Sequence, residues 1–369
     1  MDLLPLAARV GPILGFLVCI TVIAELADAI GVFRLLAYGA ARLARGSVLA
    51  LWLLVVAVST AASAVLSLDT TAVLITPVVL VLARRLGLNL GLFAFTAVWL
   101  ANTASLIFPV SNLTNLLAMS WLEKGVPGGA AASSVGGFAA LMWPAALAAF
   151  MITVVALAVL YRKSLRGRYA MPGWRPVRDR PLLIIAGVVC AGLGPAFAAG
   201  VSVFIAAAVG AAILVVACAV RDRRMLSWKL LPWKMVLGVA ALFLVVQFAH
   251  DHGLARLLGM IAGHGDRPAD LLRLGAVATG GANVINNLPA YLALEPLADS
   301  TLRVAVLLVG TNSGPLILPW GSLATLLWAA RCRSAGVRVG WPRFIRRGLI
   351  LVPLLLIGCT AATILVHGT

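Results

Sequence analysis

Two segments of this chain share one sequence pattern. Residues 102–117 have the sequence NTASLIFPVSNLTNLL, and residues 312–327 have the sequence NSGPLILPWGSLATLL. Seven of the sixteen aligned positions are identical. In each copy a proline and small polar residues interrupt an apolar run, around Pro109 and around Pro319. A pair of interrupted hydrophobic segments in corresponding halves of a membrane protein indicates a transporter binding site.

The composition around these segments is that of a membrane protein. The chain has 369 residues, of which 62% are hydrophobic and 11% charged, and its mean hydropathy is +1.07. Soluble domains average roughly 45–50% apolar and about 25% charged residues. Apolar runs of 18 or more residues recur from end to end, which predicts a polytopic helical protein. No hydrophilic stretch is long enough to form a separate domain.

The formal net charge of +17 arises mainly in three loops between the apolar spans. The basic residues of these loops are Arg162, Lys163, Arg166, Arg168, Arg175, Arg178, Arg180, Arg221, Arg223, Arg224, Lys229, Lys234, Arg331, Arg333, Arg338, Arg343, Arg346 and Arg347. The positive-inside rule assigns such loops to the cytoplasm, and the topology below puts 23 of the 29 Lys and Arg there. The charge therefore indicates anionic lipid as the partner, and not nucleic acid. We expect a multi-pass protein of the bacterial plasma membrane with both termini outside.

The spans and charges predict two repeats joined by a connecting region, 161–233. The first repeat, 1–160, contains in order a helix, two hairpin arms, an interrupted span and a helix, at about 10–33, 47–67 with 71–84, 90–121 and 136–160. The connecting region supplies a helix pair at about 181–199 and 201–220. The second repeat, 234–369, has the same order at about 234–250, 270–301, 303–330 and 347–366.

Charge orients these elements. Basic residues stand at both outer ends of the first pair of arms, which predicts a re-entrant hairpin with its tip at 68–71, although two full spans would have the same sidedness. The second hairpin has its tip near 286–289 and its ends outside. The same order in opposite orientation is an inverted-topology repeat. The predicted fold is therefore all-α and polytopic, with two re-entrant hairpins and two broken transmembrane helices.

Residues 10–24 also have the character of a signal-peptide core. An internal counterpart argues against that interpretation, because Gly31, Arg34, Leu35 and Leu36 recur as Gly253, Arg256, Leu257 and Leu258. We therefore expect the first segment to be a helix of the mature protein.

Short polar residues gather at the two hairpin tips and the two helix breaks. Backbone groups freed at membrane depth cost several kcal/mol each unless protein or water satisfies them, so such breaks persist where they line a cavity. The residues predicted to bind a solute or ion are Asp69, Thr70, Thr71, Asn102, Ser111, Asn112, Thr114, Asn115, Asn286, Asn287, Asn312, Ser322 and Thr325. The alternative is that they only cap the half-helices.

Carboxylates inside the membrane are a sharper signal, because a charge at depth is expensive. Asp69, at a hairpin tip, is the one carboxylate that the predicted topology places at the midplane, and it is a candidate proton carrier or cation ligand. Glu25 and Asp28 lie toward the inner end of the first helix, where they either serve proton coupling or pair with Arg34. No Lys or Arg lies near a break, so a multiply charged anion would need cations bound with it.

These residues resemble those of the bacterial arsenite efflux pump family, ArsB, and its superfamily of sodium–dicarboxylate and sodium–proton carriers. The segments that carry the resemblance are 68–77 (LDTTAVLITP), 102–115 (NTASLIFPVSNLTN), 286–289 (NNLP) and 314–328 (GPLILPWGSLATLLW). The resemblance runs over nearly the whole chain. It implies the inverted-repeat fold, export of arsenite or antimonite in exchange for protons, a homodimer, and in some members a cytoplasmic ATPase subunit.

The chain departs from that family pattern at several positions. Asn102 and Asn312 stand where the family usually has Asp, and the first hairpin tip reads Leu-Asp-Thr-Thr in place of Asn-Asp-Gly-Ala. The family usually has two further helices before the first one seen here. Asp69 is therefore the acid that remains for proton coupling.

Three functions stay open from the sequence. The first is an arsenite or antimonite exporter coupled to protons, and the second is a sodium-coupled carrier of a small anion such as a dicarboxylate. In the second, Asn112, Asn115, Asn287 and Thr325 would supply oxygen ligands to sodium. The third is a membrane subunit without transport activity of its own. The five cysteines have no CxxC spacing, and no catalytic pair or metal motif is recognisable, so we expect no cofactor beyond H⁺ or Na⁺ and no enzymatic activity.

Overall fold

The computed structural model describes residues 3–170, 179–199 and 201–368. These residues form helices joined by turns and short connections. Arg175 and Arg178 of the first basic loop lie outside the described residues. Five described helices are long and apolar enough to cross a membrane by length and composition, and a bent pair near the N-terminus makes a sixth span.

That bent pair opens the first repeat. Helix α1 covers Leu3–Ile30 and helix α2 covers Val32–Leu43. Gly31 between them has φ of 105°, which is in the left-handed region that glycine adopts without steric cost. The chain bends there by 58°. Helix α2 is amphipathic and was not predicted, because its polar face interrupts the apolar run by which a transmembrane span is recognised.

The first hairpin follows. Its first arm is α3, Val48–Val65. Its second arm runs without interruption through helix α4 (Leu68–Thr70), a π-helical stretch (Thr71–Ile75) and helix α5 (Thr76–Arg85). The tip is therefore Leu66 and Ser67, and the prediction that it lies at 68–71 is wrong, because these residues already form the first turns of the second arm. Asp69 lies in the first of these turns.

The first broken helix comprises α6 (Leu90–Thr103) and α7 (Leu113–Lys124). A 3₁₀ turn, Ala104–Leu106, extends α6, and the chain is extended at Phe108 and again at Asn112. This is the predicted position of the break. Pro109 explains it, because proline lacks an N–H and disfavours a helical conformation in the residue before it.

Apart from α9 and α13, for which no span was predicted, the remaining helices match the predicted spans within a few residues at most of their ends. They are α8 (Val135–Leu160), α9 (Arg162–Leu165), α10 (Arg180–Ala198), α11 (Val203–Arg221), α12 (Trp233–Asp251), α13 (Leu254–Ala262), α14 (Pro268–Ile285), α15 (Asn287–Leu294), α16 (Thr301–Ser313), α17 (Leu323–Ser334) and α18 (Trp341–His367). Helix α13 is a second amphipathic helix that the sequence analysis missed. Helix α18 begins six residues earlier than the predicted start at 347.

The order of elements in the first repeat recurs in the second. Gly253, like Gly31, has a positive φ and separates a long helix from a short amphipathic one. Ser67 and Asn286 occupy the two hairpin tips and both have a positive φ, of 141° and 94°. The 3₁₀ turn Gly314–Leu316 follows α16 as Ala104–Leu106 follows α6. The all-helical fold with hairpins and broken helices is thus confirmed, while the domain boundaries stay predictions.

The broken helices lie at the centre of the molecule. Every residue from Leu92 to Thr103 in α6 and from Arg303 to Ser313 in α16 is buried. Helices α8 and α18 pack against each other and against these two helices. The first arm of each hairpin packs beside the broken helix of its own repeat, α3 beside α6 and α14 beside α16. Helices α1, α10 and α11 pack mainly against one another, with smaller contacts from α1 to α2, α7 and α12 and from α10 to α8.

The third basic loop is shorter than predicted, because its last three arginines lie in a helix. Arg343, Arg346 and Arg347 belong to the first two turns of α18. The Arg347 guanidinium lies 4.7 Å from the centre of the Phe95 ring and donates a 2.7 Å hydrogen bond to the Tyr161 hydroxyl. Such cation–π contacts stabilise packing by about 0.5–2 kcal/mol. Arg347 therefore joins α18 to α6 and α8 in addition to biasing the topology.

The helix pair α10 and α11 is joined at its basic end by an ion pair. The Arg221 Nε atom lies 2.9 Å from the Asp179 carboxylate, which also accepts a hydrogen bond from the Leu182 N–H at the start of α10. The hydrogen bond from Arg221 keeps the pKa of Asp179 below its usual range. Because both side chains are exposed to solvent, the pair fixes the position of the helix ends more than it adds stability.

Arg303 holds the base of the second hairpin together. Its side chain is fully buried and donates hydrogen bonds of 2.8–2.9 Å to the carbonyls of Leu297, Gly263 and Gly265. The carboxylate of Asp299 is 3.2 Å away. Lysine cannot supply the planar fork that reaches three carbonyls. One side chain therefore fixes the segments that precede α14 and follow α15.

We expect Arg303→Lys to lower the free energy of unfolding by ~2–3 kcal/mol, because buried carbonyls lose their partners. The thermal unfolding midpoint of the purified protein in detergent measures the effect. Arg273→Lys is the matched control, since Arg273 also donates to two carbonyls, of Ile261 and Met260, but is exposed. Equal loss of stability in the two variants would contradict this account of Arg303.

Candidate functional site

The second half of each broken helix begins with an equivalent cap. Asn112 caps α7 by accepting a hydrogen bond from the Thr114 N–H at 3.4 Å, and Ser322 caps α17 by accepting one from the Thr325 N–H at 3.1 Å. The backbone of both caps is extended. N-capping is worth typically about 1 kcal/mol. The capping interpretation therefore holds for these two residues, and it leaves their remaining hydrogen-bonding capacity open.

Asn312 connects the two broken helices. Its side-chain oxygen accepts hydrogen bonds from Asn112 Nδ2 at 2.6 Å and Thr114 Oγ1 at 3.1 Å. Its side-chain nitrogen donates to Asn115 Oδ1 at 3.1 Å. All four residues are buried. We name Asn112, Thr114, Asn115 and Asn312 the amide cluster, and it joins the first break to the second repeat.

Asn115 also satisfies the carbonyls that the first break leaves free. Its Nδ2 atom donates to the carbonyls of Ser105 at 2.7 Å and Phe108 at 3.0 Å. Ser111 donates from its hydroxyl to the carbonyl of Ala64 at 2.8 Å, which ties the break to the first hairpin. The first break is thus held by two of the residues predicted from the sequence, Asn115 and Ser111.

The second break is held by Asn283, which was not among the residues predicted from the sequence. Asn283 of α14 donates from Nδ2 to the Gly314 carbonyl at 2.8 Å and accepts from the Leu318 N–H at 2.9 Å. The Trp320 indole donates to the backbone carbonyl of Asn283 at 2.7 Å. The sequence does contain a signal for Asn283, since it is an asparagine within an apolar arm, one turn before the predicted hairpin tip.

The second hairpin tip docks on the same break. The Asn286 side chain donates to the Trp320 carbonyl at 3.0 Å, and the Asn287 N–H donates to the Gly321 carbonyl at 2.9 Å. Asn286 adopts its positive φ at this contact. Strained backbone of this kind persists where the surroundings fix it, commonly at functional sites.

The first hairpin tip is built from hydroxyl groups. The Thr70 N–H donates to Ser67 Oγ at 3.2 Å, and the hydroxyls of the two residues are 3.1 Å apart. The Ser63 hydroxyl donates to Thr71 Oγ1 at 2.8 Å. The π-helical stretch starts at Thr71, and such stretches occur frequently at functional sites.

Asp69 stands apart from this hydrogen-bonded network. It is half-buried, and within the described residues no hydrogen bond or ion pair reaches its carboxylate. The short helix α4 that carries it contacts α6 and α17, which belong to different repeats. An unpaired carboxylate within the membrane is expensive, so this position suits a group that binds a proton or a cation.

Asn102 and Asn312 occupy equivalent positions but differ in their contacts. Asn102 donates to the Val98 carbonyl of its own helix at 2.9 Å, and in the described part of the chain its side chain forms no hydrogen bond with the second break. Ser322 and Thr325 bond to each other, with their hydroxyls 3.0 Å apart. The predicted residues thus form one cluster at the first break and a separate hydroxyl pair at the second.

Glu25 lies on α1 and takes no part in either set of hydrogen bonds among the described residues. In the same part of the chain, no group of three His, Cys, Asp or Glu side chains could hold a metal ion. The groups that surround the breaks are therefore amides, hydroxyls and backbone carbonyls, together with Asp69.

Comparison with known proteins gives the family. The family model described as "Citrate transporter" matches residues 5–328. The chain belongs to the citrate transporter family. It is a multi-pass membrane transporter, and the expectation that it is not an enzyme agrees with this family.

Within the citrate transporter family, the relatives found by sequence support the predicted resemblance to arsenite pumps. The "Arsenical pump membrane protein" of Escherichia coli K12 is 27% identical over 93% of this chain and 84% of that protein. The homologue with the same description in Yersinia enterocolitica has the same identity and coverage. An uncharacterized transporter of Mycobacterium tuberculosis is 26% identical over 87% of this chain and 78% of its own length.

A solved structure supports the fold of this family member. The YdaH transporter of Alcanivorax borkumensis superposes with a TM-score of 0.55 at 15% sequence identity. The match covers 98% of this chain and 88% of that chain. At this identity the likeness concerns the fold alone.

The amide cluster makes a testable prediction about stability. Asn312→Ala removes three side-chain hydrogen bonds and leaves buried groups on Asn112, Thr114 and Asn115 without partners, so we expect a loss of ~2–3 kcal/mol. Asn102→Ala, the control at the equivalent position, removes one bond to a helix carbonyl and should cost about 0.5–1 kcal/mol. Thermal unfolding in detergent compares the two. A loss at Asn102 as large as that at Asn312 would contradict the assigned asymmetry.

Proposed function

We propose that this transporter exports arsenite or antimonite in exchange for protons by alternating access. The observation that carries the proposal is the chemistry of the amide cluster, whose donors and acceptors are all uncharged. At both breaks, the side chains that form hydrogen bonds in the described residues include no Lys or Arg. The relatives described as arsenical pump membrane proteins support the same substrate class.

Arsenous acid fits such a cluster because it is uncharged at neutral pH and carries several hydroxyl groups. Each hydroxyl both donates and accepts a hydrogen bond, as the Asn and Thr side chains do. A bound substrate can therefore take over the hydrogen bonds between Asn312 and its partners Asn112 and Thr114. That exchange leaves no buried group unpaired, so it avoids the penalty of an unsatisfied polar atom.

The packing supports a moving unit that contains both hairpins and both broken helices. The second arm of the first hairpin contacts α17, and α15 of the second hairpin contacts α7. Each hairpin thus rests on the broken helix of the other repeat. Helices α1, α10 and α11 pack mainly among themselves and would serve as the scaffold past which this unit moves.

Asp69 is the proposed proton carrier. Its carboxylate has no partner among the described residues, and it lies in a helix that contacts both α6 and α17. A carboxyl group in that position crosses the membrane at lower cost when it is protonated. Export of one substrate would then be exchanged for inward movement of the proton on Asp69.

Asp69→Asn tests this role, since the amide has the same shape and cannot carry a proton. In inside-out vesicles, we expect the variant to lose arsenite uptake driven by a pH gradient while it retains exchange of labelled for unlabelled arsenite. Exchange needs the substrate site but no net proton movement. Cells that express the variant should lose arsenite resistance.

Glu123→Gln is the matched control, because Glu123 is an exposed carboxylate on α7. It should leave both activities unchanged. Retention of pH-driven uptake by Asp69→Asn would overturn the role of Asp69. Absence of arsenite binding, exchange and resistance in the unmodified protein would overturn the substrate class.

A sodium-coupled carrier of a small anion is the second candidate. The family description as citrate transporters favours it, as does the supply of neutral oxygen atoms on Asn112, Asn115, Asn287 and Thr325, the kind of ligand that hard cations take. Without a basic residue at the breaks, a carboxylate substrate would need sodium ions beside it.

Proteoliposomes distinguish the two candidates. If the chain is sodium-coupled, uptake of labelled citrate or succinate should require a sodium gradient and persist after a protonophore collapses the pH gradient. If the chain is a proton-coupled arsenite exporter, transport of labelled arsenite should need no sodium gradient and should stop when the protonophore collapses the pH gradient. Potassium in place of sodium is the control for a nonspecific salt effect.

A further inference from the structure

A cleft of about 1060 Å³ lies where several basic helix ends meet. It is bounded by the junction of α1 and α2, by the end of α5, and by the adjoining ends of α10 and α11. It is separate from the amide cluster, none of whose residues line it. These helix ends belong to the face that the charge distribution predicts to be cytoplasmic.

One wall of the cleft is apolar. Along α5 the residues Val78, Val81 and Leu82 face it, and their spacing puts them on one side of the helix. Val81 is 50% exposed although its surroundings are aliphatic. Water would find no hydrogen-bond partner along this wall, whereas a hydrocarbon chain could pack against its aliphatic side chains.

The rim of the cleft is cationic. Three arginines from three different elements line it, namely Arg34 of α2, Arg85 of α5 and Arg221 of α11. Arg85 uses one N–H on the Tyr38 hydroxyl at 2.6 Å, and Arg221 uses one on Asp179. Arg34 donates no hydrogen bond among the described residues. Since a guanidinium carries five N–H donors, most of the donors at the rim remain available.

Three aspartates also line the cleft, and two of them accept hydrogen bonds. Asp179 caps α10, and Asp222 accepts a hydrogen bond from the Arg224 N–H at 3.2 Å. Asp28 lies within electrostatic range of the Glu25 carboxylate and of two cations, Arg34 and Arg331. With Arg223 and Arg224 directly beside the rim, positive charge exceeds negative charge around the opening.

We propose that this cleft binds one anionic phospholipid, with its phosphate at Arg34 and Arg85 and an acyl chain along α5. A soluble anion would leave the apolar wall uncovered, and a lipid without net charge would not match the excess of arginines. The bound lipid would join α2 to the second arm of the first hairpin. The proposal concerns lipid binding and does not depend on the transported substrate.

Thermal unfolding of the purified full chain in detergent tests the proposal. Phosphatidylglycerol should raise the unfolding midpoint in a saturable way, because a ligand that binds only the folded state stabilises it. Phosphatidylcholine, and glycerol 1-phosphate as the head group alone, should leave the midpoint unchanged. Arg34→Gln should weaken the apparent affinity for phosphatidylglycerol about fivefold, the effect expected for one basic residue near an anionic lipid.

Arg224→Gln is the matched control, since Arg224 is exposed beside the cleft and does not line it. It should retain most of the response. Val81→Trp is a second variant that fills the apolar wall at an exposed position, and it should abolish the response without lowering the midpoint in the absence of lipid. Equal responses to the two lipids, an equal response to glycerol 1-phosphate, or unchanged responses in Arg34→Gln and Val81→Trp would each overturn the proposal.

Discussion

Backbone groups that leave a helix inside a bilayer need new hydrogen-bond partners, because lipid supplies none. Two hairpin tips and two helix breaks impose this requirement on the central part of the molecule. Asn115 meets it at the first break by donating to the carbonyls of Ser105 and Phe108. Asn283 meets it at the second by bonding to Gly314 and Leu318. The side chains that satisfy the backbone at the breaks are therefore the same polar groups to which the proposed function assigns the solute.

The two repeats are joined at these same groups. Helices α6 and α16 are buried along almost their whole length, and the second arm of each hairpin rests on the second half-helix of the other repeat. Asn312 adds a direct side-chain link to Asn112, Thr114 and Asn115. A displacement of either hairpin must therefore alter contacts at both breaks. In the proposed mechanism, this coupling links a solute at the breaks to the movement of the whole unit.

The sequence predicted what depends on local chemistry. Apolar length located the spans, and Pro109 and Pro319 located the breaks. It missed α2 and α13, because a search for continuous apolar runs passes over short helices with one polar face. It missed Asn283, whose importance depends on the proximity of Gly314 across the fold. The family resemblance followed from motifs at the breaks and tips, and the family model and the arsenical pump relatives agree with it.

The asymmetry between Asn102 and Asn312 could not be predicted from two identical residues at aligned positions, because their partners come from the opposite repeat. Asn312 meets Thr114 and Asn115, whereas the aligned residues of the second repeat are Ala324 and Thr325, whose shorter side chains do not bridge to Asn102. Helix α4, which carries Asp69, contacts α6 and α17, the helices of Asn102 and Thr325. The one carboxylate of the predicted site is thus next to the half that lacks an amide link. Under the proposed function, a neutral solute at the amide cluster and a proton or cation at Asp69 would therefore use different side chains.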